Sequence, residues 1–181
     1  MTEQRGGWLV HQSEEKYRNA FMTVIEDQVT APDGKPSTYG RVNVKNGVAV
    51  IAVDAEEQVY LVRLYRYAVA RECLEAISGG MDGDEDPLSG AKRELKEEAG
   101  ITAEEWLDLG VCDPYTSIIN AQVYLFAARG LTFGEQAEDT EQPKVEKVPL
   151  AEAVQLVLTS QITHSPSALA ILKYAFTARG A

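Results

Sequence analysis

Apolar positions change their rhythm several times along the chain, and each rhythm predicts an element. VAVIAV at 48–53 is an unbroken apolar run, the mark of a strand covered on both faces. VYLVRLYRY at 59–67 reads as a second strand carrying Arg63 and Arg66. Arginines so placed either reach solvent along their apolar stems or serve as anion ligands. Short strands are expected at Cys73 to Ile77 and Gln122 to Ala128. Upstream, FMTVIEDQV has β-branched residues and partial alternation, APDGKP has turn chemistry, and Ser37 to Lys45 reads as the returning strand. Trp8-Leu9-Val10 suits a short strand or an anchor, and the rest of the first dozen residues carry no pattern. Helical spacing appears in Leu88, Ala91, Leu95 and Ala99, bounded by Asp86-Pro87 and Gly100. It returns at Glu152 to Leu158, and again after Ser165-Pro166, where Ala168, Leu169, Ile171, Leu172 and Ala175 form a core face. GEQAEDTEQPKVE at 134–146 reads as a long acidic loop. Strands interleaved with helices predict an α/β (α+β) domain at 46–181, preceded by a small antiparallel β unit at 1–45.

Composition narrows the function. The chain of 181 residues is 45% apolar, enough for an ordinary core. A net charge of −11 argues against electrostatic binding to nucleic acid or to anionic membrane. Two cysteines, Cys73 and Cys112, do not make a disulfide framework, and both are expected to be reduced. No stretch has the form of a signal peptide or the length of an apolar span, so a cytoplasmic protein is expected.

The chemistry concentrates on one helix. Glu94, Glu97 and Glu98 stand three and four residues apart and share a face. Like charges at that spacing repel, and they occupy the last turns, where the helix dipole favours cations. A divalent cation reverses both penalties, and an oxygen-only donor set suits Mg²⁺ or Mn²⁺. The plain alternative is a solvated acidic face with Lys92, Arg93 and Lys96 as counter-ions. Asp82, Asp84 and Asp86 imitate the start of an EF-hand loop. Pro87 stands where that loop needs Gly, however, and Arg93 where it needs a bidentate Glu.

The full spacing carries a resemblance. Gly79, five residues, Glu85, seven residues, Arg93-Glu94-Leu95, one residue, Glu97-Glu98, one residue, Gly100-Ile101 matches the Nudix box at every position. The segment resembles the Nudix hydrolase family, whose box is a loop–helix–loop holding divalent metals against a diphosphate. The resemblance implies an α/β/α sandwich around a mixed sheet, with Mg²⁺ or else Mn²⁺ as cofactor. From about Phe21 onward the chain is similar to the ADP-ribose and nucleoside-diphosphate-sugar pyrophosphatase branch. That likeness lies in VIEDQV, APDGK, YGRVNVK, the LVRLYRY strand and the terminal ITHSPSALAILKYA.

By this resemblance the Ser78 carbonyl, Glu94, Glu97 and Glu98 hold metal, while Gly79, Glu85, Arg93 and Gly100 support the box. Arg66, Arg41 and Glu75 bind substrate, Arg41 reaching that of a partner subunit. The general base is Glu141, with Glu138 or a box glutamate such as Glu98 as the alternative. The N-terminal sheet is exchanged between subunits, implying a homodimer with a small nucleotide substrate. The chain departs from the branch in Leu74-Glu75-Ala76-Ile77-Ser78-Gly79, in Thr116 at the proline diagnostic of ADP-ribose, and in Ala121 at a family glutamate. Two other activities fit the scaffold: hydrolysis of nucleoside triphosphates or dinucleoside polyphosphates, and nucleotide sensing without hydrolysis.

Overall fold

The computed structural model describes residues 2–137 and 143–178. The chain forms two compact units: Met1–Lys45 with Asp113–Gln122, and Asn46–Cys112 with Val123–Ala181.

The first unit is one sheet. Its strands are β1 (Glu3–Arg5), β2 (Trp8–Arg18), β3 (Met22–Thr30), β4 (Pro36–Val44) and β10 (Ile119–Asn120), in the order β1-β2-β3-β4-β10. All pairs are antiparallel except β10, which lies parallel to β4. The β3–β4 turn forms as its residues predict: Gly34 takes φ +84°, its N–H reaches the Ala31 carbonyl at 2.8 Å, and Asp33 Oδ1 accepts from the Lys35 amide at 3.0 Å. The expectation of a brief strand or anchor near Trp8 is corrected to an eleven-residue strand, β2. Beyond Val10 both of its faces are exposed, so no apolar alternation marks it.

The second unit wraps a sheet between helices. Its elements are β5 (Gly47–Val53), β6 (Gln58–Arg66), β7 (Arg71–Glu75), β8 (Ile77–Gly80), α1 (Pro87–Ala99), β9 (Ile101–Cys112), β11 (Val123–Phe133), β12 (Lys144–Pro149), α2 (Leu150–Leu158) and α3 (Ser165–Ala178). The sheet runs β12-β6-β5-β11-β9, with β7 beside β6 and β8 beside β5. It is mixed, because β5 and β11 are parallel while the other pairs are antiparallel.

Strand β5 feeds two cores by simple alternation. Ala49, Ile51 and Val53 pack with Ala153 of α2 and Ile171 of α3, while Val48, Val50 and Ala52 pack with Ala91 and Leu95 of α1. The result is the α/β/α arrangement. Strands β9 and β12 are absent from the sequence reading, and the acidic loop assigned to 134–146 ends earlier, since Lys144 opens β12. The single strand expected at 73–77 is two strands interrupted at Ala76. Cys73 and Cys112 are thiols, the first buried. Among the described residues no helix is long and apolar enough to cross a membrane.

Candidate active site

Helix α1 owes its boundaries to two residues. The Asp86 carboxylate accepts from the Leu88 and Ser89 amides, each at 3.1 Å. Gly100 takes φ +65°, and its N–H turns back to the Leu95 and Lys96 carbonyls. No side chain fits there, because a Cβ would stand 2.7 Å from the Gly134 carbonyl oxygen. Leu95 and Ala91 bury the inner face, which fixes the rotation of the helix and aims its glutamates at β8.

The carboxylates meet the strand that precedes them. Gly79 pairs with Val48, and a Cβ on Gly79 would overlap the Glu94 carboxylate, so that acid lies directly on the bare backbone. Glu98 Oε2 accepts from the Ser78 amide at 3.1 Å. Arg93 knits the rest together. It donates to both oxygens of Glu85 at 3.2 and 3.1 Å, to Glu94 Oε1 at 2.7 Å, to Glu97 Oε2 at 3.0 Å and to the Gly80 carbonyl at 2.8 Å.

Electrostatics follow from this placement. Burial pushes the Glu94 carboxyl above its ordinary pKa, outweighing the opposing pull of Arg93. The Arg93 hydrogen bonds hold Glu85 below the usual range, and Glu85 in turn raises the Arg93 guanidinium. Among the described residues no three acidic, histidine or cysteine side chains close on one point, because Arg93 draws Glu94 and Glu97 while Ser78 draws Glu98. The donors nevertheless suit a hard divalent cation: three carboxylates on one helix face, one of them held in the space a glycine leaves open.

The other expected site residues fall elsewhere. Arg66, at the end of β6, donates through Nε and Nη2 to Glu75 Oε2 at 3.1 and 2.8 Å, and Glu75 is 3% exposed. Arg63 on the same strand makes a two-pronged pair with Glu146 of β12, at 2.6 and 2.9 Å. Arg41 lies in the first unit, where its Nε donates to the buried Asp27 at 2.8 Å. Glu138 and Glu141 lie outside the described residues.

Sequence reasoning missed Gln136, whose amide donates to the Glu98 carbonyl at 2.5 Å and the Pro143 carbonyl at 3.0 Å. With the Ala137 amide on the Glu97 carbonyl, it satisfies the open end of α1. It also missed His164 and Ser167, which stand against Glu75 and Ala76. No local pattern announces such contacts.

Known proteins share this architecture. Residues 8–42 match the nucleoside diphosphate sugar hydrolase N-terminal domain. The chain is 29% identical over 164 residues to the methanol dehydrogenase activator of Bacillus methanolicus, covering 88% of each protein. It is 30% identical over 164 residues to the ADP-ribose pyrophosphatase of Mycobacterium tuberculosis, covering 88% of this chain and 79% of that protein. A solved structure described as an ADP compounds hydrolase shares the fold, with a TM-score of 0.82 over 94% of both chains at 22% identity. The NUDIX domain itself matches residues 44–169, from the end of β4 into α3, and on that extent the protein belongs to the Nudix hydrolase family.

Proposed function

We propose that this protein hydrolyses the pyrophosphate bond of a nucleoside diphosphate linked to a sugar or similar group, releasing a nucleoside monophosphate and a sugar phosphate. The observation that carries the reading is that Glu94 and Glu98 of one helix face meet β8, Glu94 seated on Gly79 and Glu98 on the Ser78 amide, while Arg93 ties Glu97 to Glu94. The N-terminal match at 8–42 and the relative named ADP-ribose pyrophosphatase favour this substrate class over nucleoside triphosphates.

Glu94, Glu97, Glu98 and the Ser78 carbonyl hold Mg²⁺ or Mn²⁺ in this reading. Such a cation, when bound, offsets the diphosphate charge and acidifies a bound water. The chain's own residues do the remaining work. Arg93 keeps Glu94 and Glu97 in register through Glu85, as groups behind a ligand do. Arg66 grips the diphosphate or the sugar, backed by Glu75. A glutamate accepts the proton of the attacking water: Glu98 or, from the acidic loop, Glu141 or Glu138. The protein works as a homodimer through the N-terminal sheet, a reading supported by exposed Tyr17, Phe21 and Tyr115 in the first unit. Sedimentation at falling protein concentration tests the dimer.

Glu98→Gln tests the chemistry, since it keeps shape and removes charge. Losing a residue behind a ligand costs about 10- to 100-fold, so losing a ligand or base should cost at least the upper end of that range. Near-normal turnover by a folded E98Q overturns the reading. A panel of ADP-ribose, ADP-glucose, GDP-mannose, UDP-glucose and a dinucleoside polyphosphate, with Mg²⁺ and with Mn²⁺, identifies the substrate class. Turnover of the polyphosphate alone overturns the sugar assignment, and binding without turnover points to a sensor.

A further inference from the structure

We propose that His164 and Ser167, at the entrance to α3, are positioning residues for Arg66, acting through Glu75. The inference rests on the reading of Arg66 as a substrate ligand.

The chain pairs with β6 through Glu75 and with β5 from Ile77, so Ala76 sits at the switch between two ladders. Its amide is satisfied instead by Ser167 Oγ at 2.8 Å, and Ser167 is fully buried. Ser167 Oγ lies 2.7 Å from His164 Nδ1, and that nitrogen is 3.4 Å from Glu75 Oε2. Just before them, Thr163 Oγ1 accepts from Arg71 Nη2 at 2.7 Å. Residues 163–167 are therefore laced to Arg71 and Glu75 of β7 and to Ala76, which follows it.

This lacing determines what Glu75 can do. The Glu75 side chain is 4% exposed, and a buried carboxylate needs every donor it can reach. Arg66 supplies two, both to Oε2. A lone pair on His164 Nδ1 would face that negative oxygen, so the proton belongs on Nδ1, where it reaches Ser167 Oγ and keeps its positive end toward Glu75 Oε2, 3.4 Å away. Burial holds His164 below its ordinary pKa; Glu75 opposes this and Arg66 adds to it. The neutral ring thus offers one N–H, aimed inward. Glu75 becomes a fixed anvil for the Arg66 guanidinium, and Arg66 meets a substrate already oriented, which lowers the ordering cost of binding.

His164→Ala removes the inward N–H, whereas His164→Asn keeps an amide N–H on a short side chain at nearly the same place. For ADP-ribose, H164A should raise KM and Kd by about tenfold, with kcat changed by less than about twofold, the pattern of lost uniform binding. H164N should recover most of the affinity. In an Arg66→Ala background H164A should add nothing further, because the two residues act in series. An unchanged KM in H164A, equal loss in H164A and H164N, or full additivity with R66A overturns the inference. R66A with unaltered Kd overturns it as well, since the arginine would then hold no substrate. A wild-type protein that binds ADP-ribose without hydrolysing it overturns the proposed reaction instead, and the Kd series still tests His164.

Discussion

The two units solve one problem with unequal means. Each holds an arginine on a buried carboxylate of a neighbouring strand: Arg66 on Glu75 in the second unit, Arg41 on Asp27 in the first. In the second unit the pair sits beside a sheet packed on two cores, to each of which β5 alone gives three residues. In the first unit, β2 buries only Val10, while Tyr17 is 51% and Phe21 is 78% exposed. Its ion pairs, such as Arg18 with Glu15 and Lys16 with Glu14, are exposed and therefore weak supports. Burying a carboxylate is costly in either unit, but in the thick one the cores supply stability that offsets the cost. In a thin one the pair must be held by charges, which is why a second cation, Arg5, stands 3.7 Å from Asp27.

The contrast breaks or holds first in the cores. Leu95 is fully buried under α1, and Leu95→Ala should cost about 2–5 kcal/mol. Val29, at 4% exposure in the first unit, loses two methyl groups in Val29→Ala and should cost about 1–2 kcal/mol. Urea unfolding of both variants checks the difference. Equal costs would mean that a second copy packs the thin sheet as densely as the helices pack the thick one.

The same contrast explains what was legible in the residues. The box could be read because its geometry is local: Asp86 and Gly100 set the helix ends, and glutamates three and four apart must share a face. The β3–β4 turn was equally local. Strand β2 could not be read, because a ribbon polar on both faces has no period to detect. Strand β9 failed for a related reason, since its buried and exposed positions do not alternate strictly along an edge of the sheet. Strand β12 was hidden by the acidic, proline-containing run that leads into it. Ser167 and Ala76 are 91 residues apart, and a contact of that kind exists only once the sheet has closed.

Gly79→Ala shows whether the rigidity of the thick unit serves the glutamates. Gly79 has no positive φ to protect, and the atoms an alanine Cβ would first meet are those of the Glu94 carboxylate that lies against it. That side chain can swing away, and the fold should survive with little change in melting temperature. A displaced Glu94 should lower turnover by about 10- to 100-fold, as when a ligand loses its support. Turnover equal to wild type would mean that the seat of Glu94 on Gly79 is packing, unrelated to the chemistry.

The smallest effect belongs to the thin unit and depends on pH. Burial would raise the Asp27 carboxyl above its ordinary pKa of 3.8, but hydrogen bonds from Arg41 and Ser13, with the charges of Arg41 and Arg5, hold it below. A group lowered in this way contributes stability that is fully present above its unfolded pKa and is lost as pH falls through its folded value. Asp27→Asn keeps an acceptor for Arg41 and removes the charge. It should cost about 1 kcal/mol at neutral pH, the surplus of a charged over a neutral hydrogen bond. In acid the cost should vanish, because the wild-type carboxyl is then neutral as well. Urea midpoints measured from pH 7 downward should therefore converge. Parallel curves would show that Asp27 acts through its shape, and the thin sheet would then need no electrostatic account of how it keeps Arg41 in place.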